Sequence, residues 1–174
     1  VARVLQIAGI TAVLVTHDQT EALSFADQVA VLREGKLIQA GTPQALYLSP
    51  RDRETALFLG DAIVLSADLD KGSAKCNLGH IPVDAERRPG RTEIMLRPEQ
   101  LRLGSVDDAG AACIGKVTEI EFGGAVCTVT VVLSNANGSE TLNIKSSGVG
   151  LPEIGSMVSV TVIGKAHVFN KLDA

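Results

Sequence analysis

Tryptophan is absent from the 174 residues, and one Tyr and four Phe make up the whole aromatic complement. Proteins that hold single-stranded nucleic acid stack bases on aromatic side chains along a basic groove. From residue 62 onward there are 11 Lys/Arg against 13 Asp/Glu, with Phe122 and Phe169 the only aromatics. Neither requirement is met, and the net charge of −4 adds no attraction to phosphate backbones, so no nucleic-acid partner is expected. No apolar run approaches the ~20 residues of a membrane-spanning helix. Cys76, Cys113 and Cys127 are odd in number and lack C-x-x-C spacing, which reads as reduced structural thiols rather than a disulfide or zinc site. His80 and His167 stand beside apolar residues and read as structural or surface histidines, so no metal site is expected. The phosphate-cradling pattern G-x-x-x-x-G-K followed by Ser or Thr is also missing. Gly123-Gly124 and Gly148-Val149-Gly150 lack its lysine and read as turns.

What is present begins with Ile10-Thr11-Ala12-Val13-Leu14-Val15-Thr16-His17-Asp18-Gln19-Thr20-Glu21-Ala22-Leu23. The apolar run Ala12 to Val15 is bounded by a helix-start signal. Asp18 is positioned to cap, and Glu21 three residues later makes a D-x-x-E variant of the capping box. A short continuous apolar run of this kind predicts a strand buried on both faces in a parallel α/β sheet. His17 would then stand at the strand's carboxyl end, the edge at which open α/β sheets bind ligands. Upstream, Val1, Val4, Leu5 and Ala8 predict one face of an amphipathic helix leading to Gly9.

Downstream, Val29 to Arg33 and Lys36 to Ala40 flank Glu34-Gly35, which predicts a tight hairpin needing positive φ. Thr42 and Pro43 start a helix whose apolar side is assigned to Ala45, Leu46 and Leu48. A second short helix, Asp52 to Leu59, ends at Gly60. The domain boundary falls there, giving residues 1–60 and 61–174. Beyond it the apolar period changes from 3.6 to 2. Eight strands are predicted: Ala62–Asp68, Ala74–Leu78, His80–Val83, Glu93–Arg97, Ala112–Phe122, Val126–Leu133, Glu140–Lys145 and Met157–Ile163. Turn-forming residues punctuate them, including Arg88-Pro89-Gly90 and Asn135-Ala136-Asn137-Gly138. Many short strands at this spacing predict an antiparallel barrel or sandwich. Neither face of Val126–Leu133 is strongly polar, which predicts burial on both sides or at a subunit contact. Arg97 and Glu99 read first as a surface ion pair with a turn, and second as a ligand contact.

Val-Thr-His-Asp-Gln-Thr-Glu-Ala-Leu (15–23), Ala26 to Leu32 and Glu34 to Pro43 resemble, in motif, order and spacing, the end of an ABC transporter ATPase domain. There the run is the switch-histidine H-loop, its helix and a final hairpin. Met95-Leu96-Arg97-Pro98-Glu99 with Leu101 resembles the L-R-P-E segment of the transport-associated OB-like (TOBE) domain. Phe58 to Val64 and Cys76 to His80 look most like the ferric-ion importer subfamily. The resemblance implies an α/β piece of the ATPase domain followed by an all-β OB-like barrel, in the energy-coupling subunit of a bacterial importer. It implies that His17 contacts the ATP γ-phosphate, that ATP and Mg²⁺ serve the full-length protein, and that permease transmembrane subunits are the partners. A periplasmic binding protein would be an indirect partner, and the location the cytoplasmic face of the inner membrane. Homodimerisation is expected through the β-domain. The phosphate loop, the signature and the Asp-Glu strand end are missing, and the first residue is not Met. The chain is therefore expected to be the C-terminal part of a longer ATPase, inactive alone. The rival reading is a standalone small-ligand- or oxyanion-sensing β-barrel.

Overall fold

The computed structural model describes residues 7, 9–83, 89–106, 113–135 and 138–169. The amphipathic helix expected at the start lies largely outside them, as do Arg88 of the turn expected at Arg88-Pro89-Gly90 and Ala136-Asn137 of the turn expected at Asn135 to Gly138. Two compact units form, 1–60 and 61–174.

The first unit is organised by local capping and turn chemistry. Helix α1 (Gln19–Phe25) begins where the Asp18 carboxylate accepts the Glu21 N–H at 3.0 Å. Strands β1 (Val29–Arg33) and β2 (Lys36–Gly41) pair antiparallel around Glu34 (φ 50°) and Gly35 (φ 73°). Two consecutive positive φ values mark the primed turn that matches the twist of a hairpin. Thr42 caps α2 (Pro43–Leu48), its hydroxyl accepting the Ala45 N–H. Asp52 caps α3 (Arg53–Phe58) at 2.8 Å to the Thr55 N–H. Val31, Leu46 and Leu59 form a small core, with Leu23, Val29 and Ile38 packed on it. Of the apolar side assigned to α2 only Leu46 is buried; Ala45 and Leu48 are exposed.

The strand predicted at Ala12–Val15 does not form. Residues 10–16 carry no strand pairing, and Val13 and Val15 are 91% and 92% exposed. A strand is held by hydrogen bonds to a neighbouring strand, and no described residue pairs with this run. His17 accordingly follows an exposed, unpaired stretch and does not stand at a sheet edge.

The second unit is two curled antiparallel sheets on one core. Its strands are β3 (Ile63–Asp70), β4 (Ser73–Cys76), β5 (Gly79–Pro82), β6 (Gly90–Leu96), β7 (Leu101–Gly104), β8 (Ile114–Glu121), β9 (Val126–Asn135), β10 (Gly138–Ser147), β11 (Met157–Val162) and β12 (His167–Val168). One sheet has the order β10-β9-β8-β11-β7, the other β12-β6-β3-β4-β5. In the first sheet, the edge strands β7 and β10 approach each other without ladder pairing, the partly open closure of an OB-like barrel. A single parallel bridge, Val83 to Ala166, draws the β5 end of the second sheet toward β12. The chain crosses between sheets twice, at 97–100 through a 3₁₀ turn and at 163–166.

Core side chains from both sheets, among them Leu65, Ile81, Ile94, Val117, Val131 and Ile144, form one cluster. Along β9 the alternation is one-sided. Cys127, Val129, Val131 and Leu133 are buried, whereas Thr128, Thr130 and Val132 face outward half-exposed. The neighbouring strands make that outer face polar. Glu119 and Asn143 flank Thr130, and Glu121 and Lys145 flank Thr128. Lys145 Nζ donates to Thr128 Oγ1 at 3.0 Å. The expectation of burial on both faces is therefore corrected: composition along one strand does not reveal what its neighbours place beside it.

Candidate functional site

His17 is exposed, with Thr16 before it and Asp18 after it. The Asp18 N–H donates to Thr16 Oγ1 at 3.0 Å, and the Asp18 carboxylate accepts from the Glu21 N–H at 3.0 Å. One bond closes a turn across the histidine and the other anchors that turn to α1. The imidazole offers two ring nitrogens for hydrogen bonding.

The remaining residues singled out in the sequence are dispersed. Arg97 is fully buried, which corrects its reading as half of a surface ion pair. Its Nη1 donates to the Asp61 carbonyl at 2.9 Å, while Glu99 is exposed on the 3₁₀ turn Pro98–Gln100. His80 is exposed opposite Lys75, and His167 meets Phe169 edge-on at 5.4 Å between ring centroids. Cys76, Cys113 and Cys127 are free thiols. Burial pushes the Cys76 and Cys113 thiols up, so both are protonated and poorly nucleophilic at neutral pH. No group of three or more His, Cys, Asp or Glu suited to a metal occurs among the described residues.

One residue escaped the sequence reading. Gln100 Oε1 accepts the Arg97 N–H at 2.9 Å, and its Nε2 donates to the Ile163 and Lys165 carbonyls at 3.2 and 3.0 Å. Ile163 N–H returns a bond to the Gln100 carbonyl at 2.7 Å. One amide thereby ties together the two crossings between the sheets. Its place directly after Arg97-Pro98-Glu99 was the only available hint, because both carbonyls lie more than sixty positions away.

In the first unit, Arg33 donates to both Asp52 carboxylate oxygens, at 2.9 and 3.3 Å, and pairs with Glu54 at 2.9 Å. The Arg33 hydrogen bonds, helped by the Thr55 amide, hold the Asp52 carboxyl at about 2. The cluster joins the hairpin to α3 and is structural.

Residues 94–169 match the family model described as the TOBE domain. The chain is 49% identical over 170 residues to the Fe(3+) ions import ATP-binding protein FbpC of Pseudomonas fluorescens strain Pf0-1, covering 97% of this chain and 49% of that protein. It is 48% identical to the protein of the same name from Mesorhizobium japonicum, with 97% of this chain and 51% of the relative aligned. The Yersinia enterocolitica counterpart is 45% identical, over 97% and 49%. The chain thus spans about half the length of the curated relatives it matches.

Proposed function

We propose that this chain, which carries a TOBE domain and aligns almost end to end with one half of ferric-ion import ATP-binding proteins, is the C-terminal part of the energy-coupling subunit of a bacterial ABC importer for ferric iron. The observation that supports this reading is an alignment at about one-half identity overall that covers 97% of the chain and so extends over both units. A sensing module with an unrelated leader would share its β-domain alone.

In the complete subunit His17 acts on the ATP γ-phosphate, donating to an oxygen that gains charge as the terminal phosphate is transferred and orienting the attacking water. Bound Mg²⁺ would supply charge neutralisation at the phosphates, held by residues of the complete subunit. The apolar side chains of Ile10, Val13, Leu14 and Val15, exposed here, are covered once residues 11–15 pair as a strand of the complete ATPase sheet. That pairing carries His17 to the sheet's carboxyl edge. Permease transmembrane subunits receive the work of hydrolysis, with the periplasmic binding protein delivering cargo to them. The subunit is peripheral to the cytoplasmic face of the inner membrane and dimerises through residues 61–174. The polar outer face of β9 moves that contact off this strand, and sedimentation of the complete subunit as a strict monomer at high micromolar concentration would end the dimer proposal.

The decisive experiment replaces His17 by Ala in the complete subunit, assembled with its permease. ATP turnover and uptake of radioactive ferric iron fall by roughly 10²–10³-fold, the scale for losing one donor to developing charge. ATP affinity stays near normal. Full turnover would sink the H-loop reading, and robust turnover without iron uptake would sink the cargo.

A further inference from the structure

We propose that Thr16 and Asp18 are positioning residues for His17; this rests on the γ-phosphate role proposed for His17. The two hydrogen bonds around the histidine are both local. The Thr16 hydroxyl takes the amide N–H two residues on, at 3.0 Å, closing a turn that contains His17 and nothing else. The Asp18 carboxylate takes the Glu21 N–H, at 3.0 Å, locking the far end of that turn to the first turn of α1. Both bonds are present although the preceding run 10–15 has no strand partner and is exposed. The bracket around His17 therefore does not need the sheet to form. It is set by two side chains within one residue of the imidazole on either side.

A flexible His17 would sample many orientations, and only those directing a ring N–H at the terminal phosphate would serve. Misplacement of a reacting group by about 1 Å costs up to ~10² in rate. Asp18 has acceptor chemistry suited to holding an amide, and Asn or Ser would do the same without its charge. The role assigned to Asp18 is thus geometric. It takes no proton and touches no phosphate.

The test uses the complete ATPase subunit with its permease, in four variants beside His17→Ala. Asp18→Ala and Thr16→Val each lower kcat roughly tenfold while KM for ATP stays within about twofold. Asp18→Asn and Thr16→Ser restore kcat to within about twofold, and Asp18→Asn leaves the pH profile of kcat unchanged. A cap that only stabilised α1 would lower the folded fraction and leave kcat per folded subunit unmoved, so thermal unfolding is recorded alongside. Normal kcat in Asp18→Ala with an inactive His17→Ala would overturn the positioning role and keep the H-loop reading. Full activity in His17→Ala would instead overturn the reading beneath it. Asp18→Asn as impaired as Asp18→Ala would assign the effect to charge and also overturn the proposal.

Discussion

Replacing Gln100 by Glu is an almost isosteric change with a calculable consequence. Glu keeps an oxygen where Oε1 accepts the Arg97 N–H, but it substitutes an anionic oxygen for the Nε2 that donates to the Ile163 and Lys165 carbonyls. Two hydrogen bonds are lost and a carboxylate faces two carbonyl dipoles. Each lost bond costs about 0.5–1.5 kcal/mol net. Water reaches this half-exposed amide, which places each cost in the lower half of that range. The sum is roughly 1–2 kcal/mol at pH 7, or a Tm lowered by about 4–8 °C for a unit of this size. Gln100→Ala, which also removes the acceptor for Arg97, costs roughly 2–3 kcal/mol. The Gln100→Glu variant carries a further signature. Two nearby carbonyl oxygens raise the folded-state pKa of the introduced carboxyl above the ordinary ~4.3. A raised pKa contributes stability that is present below the unfolded value and lost as pH rises through the folded value. The deficit therefore shrinks from pH 7 to pH 4, where a protonated carboxyl regains one donor, whereas that of Gln100→Ala does not follow this course. With no Trp in the chain, urea unfolding followed by far-ultraviolet circular dichroism at the two pH values is the assay. A Gln100→Glu variant as stable as the parent at pH 7, or a deficit unchanged at pH 4, would refute the clasp.

Two further outcomes follow from the packing. Gly115→Ala sets a Cβ against Val131 Cγ1 and 2.8 Å from Leu133 Cδ2, both on fully buried side chains. Overpacking of this kind costs roughly 1–3 kcal/mol, read as a lower urea midpoint, and a Val131→Ala second change should cost less in that background than alone. Asp52→Ala removes the cap of α3 and the Arg33 partner together, costing roughly 1–2 kcal/mol. Because the Asp52 carboxyl is held at about 2, below its ordinary 3.8, its contribution is full above about pH 4 and is lost as pH falls toward 2. Acid titration of wild type and variant should converge across that window; parallel curves would refute the pairing.

Most of what the chain states on its own is local. Asp18 and Thr42 cap helices as their spacing predicts, and Glu34-Gly35 turns the hairpin, because each device acts within three residues of itself; Asp52, read as the first residue of its helix, is instead its cap. The antiparallel β-architecture after residue 60 was legible from its period-2 runs. Two strands were not. Leu101–Gly104 and His167–Val168 are only four and two residues long, too short to show a period, and exist because β11 and β6 offer them edges. His17 was singled out through its motif, and the Asp18 cap beside it through its spacing to Glu21. Only the tertiary structure could decide that residues 10–15 stay unpaired and exposed when no neighbouring strand is at hand, since strand pairing is supplied by other parts of a chain. It likewise decided that Arg97 is buried, that one face of β9 is polar, and that a single glutamine amide ties two crossings together. Each of these depends on groups brought close across tens of residues, and no pattern along the chain records which groups those will be.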